Sequence, residues 1–139
     1  MSSDEQPFRD CADRFMAHDY EAAANLAINL LQQHFYFWLA QVMLISISRC
    51  HFASHLPRMR EFVRDAFTGN TWELSLVDVV ANGANADSLL PAATTIKRRC
   101  QLAYYEGARL LTAGDRTSAT RSFQACLLLP PECMEHTFA

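Results

Sequence analysis

Glycine and proline are scarce in this chain, at four and five of 139 residues. So few turn-forming positions exclude a turn-rich all-β protein and favour helices. Charge of one sign is also lacking. Twelve Lys and Arg against fifteen Asp and Glu leave a net charge of −3. Without a basic surplus to neutralise phosphates, a nucleic-acid partner is not expected. The most apolar stretch, Phe35 to Ile47, contains Gln41 and falls short of the ~20 residues that a bilayer span needs. It reads as a buried helix, and no membrane association is expected. The opening Met-Ser-Ser-Asp-Glu-Gln-Pro has neither the positive nor the apolar region of a secretory signal. The five cysteines (Cys11, Cys50, Cys100, Cys126, Cys133) are odd in number and lack framework spacing. The expectation is a cytoplasmic chain with reduced, mostly core thiols. Gly-x-Ser-x-Gly, a phosphate loop, His-Glu-x-x-His and Gly-x-Gly-x-x-Gly are all missing. Neither catalysis nor a cofactor is therefore expected.

What the chain does have is apolar mass: 50% hydrophobic residues against 19% charged. That is enough for a real core, with one face left for a partner. The length suits a single domain, 1–139. The clearest unit lies over 96–131. A helix ends at Gly114, where positive φ costs little, and Asp115 caps the next helix. Ala119, Phe123 and Cys126 form one apolar stripe, and Pro130-Pro131 forbid continuation. Gly107 removes a side chain where the neighbouring helix can approach closely.

The order Gly107, Gly114-Asp115, Ala119, Phe123, Pro131 resembles the tetratricopeptide repeat, with Ala103 where that pattern often has Trp. A degenerate second copy lies over 7–34. His18-Asp19-Tyr20 stands where Gly-Asp-Tyr is usual, Ala23 matches Ala119, and Cys11 replaces the glycine of the first helix. The copies are 96 residues apart, slightly under three periods of ~34. Drifted helix pairs are expected over 35–68 and 72–94. The segment from Trp72 through Gly83, Leu89-Leu90 and Cys100 to Gly107, and the closing Glu135–Ala139, are similar to bacterial tetratricopeptide proteins. The resemblance implies an all-α fold of antiparallel helix pairs, stacked as a short TPR-like α-solenoid of about seven to nine helices.

Periodicity predicts helices over Phe35–His51, from His55 or Leu56 to Phe67, over Trp72–Asn82, over Ser88–Ala93 and over Thr95–Ala113. Met59, Phe62, Val63 and Ala66 are expected on one face of the second. Leu74, Val77, Val80 and Ala81 are expected inward on the third, with Thr71 as its cap and Asp87 capping the fourth.

Several groups carry both a chemical and a plain reading. Cys50-His51 with His55 has an i, i+4 histidine pair, a spacing that metals use, but too few ligands for structural zinc; polar contacts between helices are expected instead. Cys126, Cys133 and His136 form a looser group, with Cys126 on the core stripe. Neither group is expected to hold a metal. Lys97-Arg98-Arg99 with Arg109 reads as a solvated face or as a clamp for an acidic peptide. Arg98, Tyr105 and Arg109 share a helical face, so Tyr105 is the aromatic candidate for a groove. Tyr104, Tyr105 and Trp72 otherwise read as seam-filling rings. The run Phe35-Tyr36-Phe37-Trp38 is wider than one helical stripe, which leaves rings for self-association or docking unless neighbouring helices enclose them.

The expected function is a non-catalytic protein- or peptide-binding helical-repeat module, an adaptor, chaperone-like or accessory subunit of a larger complex. Its contacts would be Arg98, Tyr105, Arg109, Tyr36 and Trp38, and its partner another protein or peptide, or a second copy in a homodimer. The alternatives are a purely structural oligomerisation unit and a small metal-binding protein using Cys50, His51 and His55.

Overall fold

The computed structural model describes residues 5–50 and 53–139. The fold is all-α: eight α-helices, with 3-10 segments at Ala53–His55 and Ala86–Ala92, and no strand among the described residues. The chain divides into two compact units, Met1–Ala66 and Phe67–Ala139. The division falls near the end of the first drifted helix pair, 35–68.

The first unit opens with a hairpin of α1 (Gln6–Met16) and α2 (Tyr20–Leu31). Pro7 sits in the first turn of α1, where its missing N–H costs nothing. Between the helices, Ala17 N–H donates to the Asp13 carbonyl, His18 to Phe15 and Asp19 to Arg14, at 2.9, 3.1 and 2.9 Å. His18 takes φ +63°, left-handed backbone that costs an L-residue roughly 1–2 kcal/mol. Its ring stacks on Tyr20 at 5.6 Å between centroids. Asp19 then caps α2, accepting the Ala22 N–H.

Helix α3 (Phe37–Ser48) packs chiefly against α2. Ten of its twelve residues are buried, so it is apolar on all sides rather than along one stripe. Within it, the Gln41 amide and the Ser46 hydroxyl are fully buried without hydrogen-bond partners. The helix starts at Phe37, later than expected, because Tyr36 is extended at ψ 132°. The chain then takes the 3-10 turn Ala53–His55 before α4 (Leu56–Ala66). Of the face expected on α4, only Val63 is buried. Phe62 and Ala66 are exposed because α4 packs mainly on α3 alone.

The second unit contains α5 (Thr71–Asn82), the 3-10 segment Ala86–Ala92, α6 (Ile96–Thr112), α7 (Arg116–Leu127) and the short α8 (Met134–Phe138). Three expectations are corrected here. The cap of α5 is Asn70, whose side chain accepts the Glu73 N–H at 3.0 Å, and not Thr71. The cap of the 3-10 segment is Asn85, accepting from Asp87 N–H, and not Asp87 itself. The buried face of α5 is Trp72, Leu76, Val77 and Val79, with Leu74, Val80 and Ala81 only partly covered. Trp72 sets that register: its indole N–H donates to buried Gln101 Oε1 at 3.0 Å, which turns the largest ring inward.

Helices α6 and α7 form the second hairpin and repeat the first bond for bond. Ala113, Gly114 and Asp115 N–H donate to the carbonyls of Arg109, Leu111 and Leu110 at 3.0, 3.1 and 2.9 Å. Gly114 takes φ +89°, and Asp115 accepts the Ser118 N–H at 3.1 Å. Hydrogen bonds from Ser118 hold the Asp115 carboxyl below its ordinary range. Every donor and acceptor here is 96 positions beyond its counterpart in the first hairpin.

The seams are filled differently. A Cβ built on Gly107 would stand 2.7 Å from the Phe123 ring, so a side chain there would push that ring aside. In the first hairpin Cys11 stands at the glycine position and Ala27 at that of Phe123, both fully buried. Volume has moved from one helix to the other.

Gly107→Ala is expected to lose about 1–2 kcal/mol in urea unfolding followed by circular dichroism, as overpacking of ~1–3 kcal/mol outweighs ~1 kcal/mol of helix propensity. In a Phe123→Ala background the same substitution should become neutral or stabilising. An equal loss in both backgrounds would contradict the seam described.

Candidate partner-binding surface

Two places in the fold collect the candidate residues, and each lies within one unit. In the first unit, residues 32–36 lead into α3 and carry Phe35 and Tyr36 outward, 54% and 49% exposed. Phe37 turns into the core, and Trp38 is half-buried. The four-ring run therefore splits as its width requires, two rings out and two at least partly in. Phe8 of α1 gathers three of the surrounding rings. Its centroid lies 5.1 Å from His34, 5.4 Å from Tyr36 and 6.4 Å from Trp38. His34 also stacks on Tyr36 at 5.8 Å. On the other side, Phe35 faces Phe62 of α4 at 6.5 Å, and Phe62 is 40% exposed. Such contacts are worth about 0.5–1.5 kcal/mol each beyond the area they bury. They hold the loop rings in place, so Phe35, Tyr36 and Phe62 present a pre-positioned aromatic surface. Exposed Arg58 and Arg64 flank Phe62 on α4, interleaved with Glu61 and Asp65.

In the second unit, the face of α6 does not form the expected groove. Tyr105 is 1% exposed, and its hydroxyl donates to Glu135 Oε2 of α8 at 2.6 Å. Burial first, then the Glu135 charge and this hydrogen bond, push its hydroxyl well above the ordinary range. Its ring belongs to the interior, a correction to its placement in a groove. Of the three residues grouped by spacing, only Tyr105 is turned towards α8. Arg98 is held by the chain itself: Nη1 donates to the Ala92 carbonyl at 2.9 Å, and the guanidinium lies 5.1 Å over the Trp72 ring. Arg109 pairs with Glu106 one turn earlier, through Nε at 3.1 Å and through Nη2. The basic residues thus act as braces within the second unit. Tyr36 and Trp38 are brought together, with Phe8; Arg98, Tyr105 and Arg109 share α6 but each has a separate partner.

Of the metal-like groups, His51 lies outside the described residues. Cys50 Sγ donates to the Ile47 carbonyl at 3.7 Å at the end of α3, and His55 is exposed in the 3-10 turn. Helix α3 stops at Ser48, before both, so Cys50 and His55 do not share a face of one helix. Among the described residues no three His, Cys, Asp or Glu side chains are arranged to hold a metal ion. No helix of the described residues is long and apolar enough to cross a membrane. The looser cysteine group is joined by a residue that the sequence reading left out: Cys100 Sγ lies 2.9 Å from Cys126 Sγ. The signal was the hairpin register, since Cys100 and Cys126 stand at similar distances either side of Gly114.

The buried hydroxyl and thiols make alkali a probe of this packing. Burial raises Cys11, Cys100 and Cys133 to about 12 and also raises Cys126, from an ordinary 9.0. A raised folded value means that the contribution is whole below the unfolded value and is lost as pH climbs above it. The urea midpoint should hold from pH 7 to 8 and fall progressively above pH 9, with the part above pH 10 reduced in Tyr105→Phe. A midpoint unchanged to pH 11 would contradict the burial of these groups.

Comparison of the chain with protein-family models, with curated proteins and with solved structures finds no match.

Proposed function

We propose that this chain is a non-catalytic helical-repeat module of the tetratricopeptide kind, which binds another protein or a peptide as an adaptor, chaperone-like or accessory subunit in the cytoplasm. The observation that carries the repeat reading is the pair of hairpins matched bond for bond at a spacing of 96 residues, including left-handed backbone at His18 and Gly114. Helical repeats of this sort serve as recognition scaffolds, and their specificity lies in the side chains they display. The side chains that support binding are Phe35, Tyr36 and Phe62, large rings held outward by neighbouring rings. Trp38, half-buried, meets Phe8 beside Tyr36. Arg98, Tyr105 and Arg109 are engaged inside their own unit and drop out of the proposed contact set.

The same surface supports a second reading, a structural unit that associates with its own copy. Exposed aromatic area serves either partner, and one experiment separates the two. Light scattering on the eluting chain gives its mass, and affinity capture from the source lysate gives its partner. The module reading expects a stoichiometric partner that Phe35→Ser/Tyr36→Ser loses and Arg98→Glu keeps, with the helical circular dichroism of both variants unchanged. A doubled mass that the aromatic double variant returns to monomer, with no other protein retained, would establish the self-association reading instead.

A further inference from the structure

Helix α8 has five residues, too few to hold together without docking. Two contacts seat it on α6. Buried Glu135 accepts the Tyr105 hydroxyl at 2.6 Å, and the Phe138 ring lies 6.2 Å from Tyr104. The link from α7 to α8, residues 128–133, folds back through a tight turn in which the Glu132 N–H donates to the Pro130 carbonyl at 2.9 Å. Pro130 and Pro131 also suit extended backbone, so opening that turn costs little beyond its hydrogen bond. Straightened, six residues reach at most about 20 Å, enough to carry α8 away from its own α6. The same link is apolar and faces water. Leu127 is 49% exposed and Leu128 87%, with Met134 exposed at its far end.

We propose that a second copy of this chain binds here by exchange of α8, so that Glu135 and Phe138 of each copy seat against Tyr105 and Tyr104 of the other. The segment that best fits an α6 face without its α8 is the same five residues from an identical chain. Those contacts are alike within one chain and between two, so they cancel in the comparison, which is why exchange of an identical element is a low-cost route to a dimer. What differs is the link. Two straightened links pass each other about the twofold axis and bring Leu127 and Leu128 of both copies together, covering apolar area that the closed chain leaves in water. That burial offsets the freedom lost on association. The contact lies wholly within the second unit and makes no use of Phe35, Tyr36 or Phe62.

The test is the mass of the full chain by light scattering over a concentration series. Wild type is expected to pass from monomer to dimer as concentration rises. Leu127→Ser/Leu128→Ser, both on the surface, should weaken the dimer at least tenfold with helical circular dichroism unchanged. Glu135→Ala/Phe138→Ala should stay monomeric alone, since it has no competent α8 to give. Its vacant α6 should nevertheless capture tagged wild-type chain more tightly than wild type captures itself. Glu135→Gln keeps an oxygen that accepts the Tyr105 hydroxyl and should dimerise as wild type does, and so should Phe35→Ser/Tyr36→Ser. A wild-type chain that stays monomeric at every concentration overturns the proposal. So does a Glu135→Ala/Phe138→Ala chain that dimerises as wild type does, or a dimer that Phe35→Ser/Tyr36→Ser abolishes.

Discussion

The fold rests on how closely two helices approach when the chain reverses within three residues. In the second hairpin the approach is so close that a Cβ at position 107 would force the Phe123 ring to shift. The turn that permits it is compact because one residue adopts left-handed backbone and the next caps the following helix with a carboxylate. Where a glycine fills the first role the conformation is nearly free of cost. Where His18 fills it, stacking on Tyr20 and the cap at Asp19 have to offset the penalty. The first hairpin meets the same constraint with different volumes, a small thiol on one helix and a methyl on the other.

Around each seam the two units are finished by different forces. The first relies on apolar mass: α3 is buried on nearly every side, and even Gln41 and Ser46 are enclosed without partners. Leaving such groups unpaired costs about 1–3 kcal/mol each, which the surrounding burial has to exceed. The second unit relies on polar links in its interior, Trp72 to Gln101 and Tyr105 to Glu135. The second of these links takes Tyr105 into the interior. In the first unit, by contrast, the loop rings Tyr36 and Phe35 stand against Phe8 and Phe62 and stay exposed.

Much of this was legible in the residues. The turn at Gly114-Asp115, the bare face at Gly107 and the degenerate copy at His18-Asp19 follow from local chemistry, which the sequence states directly. The splitting of Phe35–Trp38 follows from the width of a helical stripe. The face of α5 was misjudged because periodicity alone does not say which of several apolar registers wins. The Trp72 indole settles it through Gln101, a partner 29 residues away. Tyr105 was misplaced for a similar reason. Helical spacing places it near Arg98 and Arg109, but the docking of α8 through Glu135 decides that the Tyr105 ring itself looks inward. The pairing of Cys100 with Cys126 follows from the hairpin register, which sets them at similar distances either side of Gly114.

The most direct test of the account is to move the seam of one hairpin into the other. Ala27→Phe alone should destabilise the chain strongly, because a ring would be driven into the space that Cys11 occupies. Adding Cys11→Gly should recover a large part of that loss, with a coupling of about 1–3 kcal/mol in a double-mutant cycle measured by urea unfolding. Two losses that simply add would contradict the claim that both hairpins are built on one geometry.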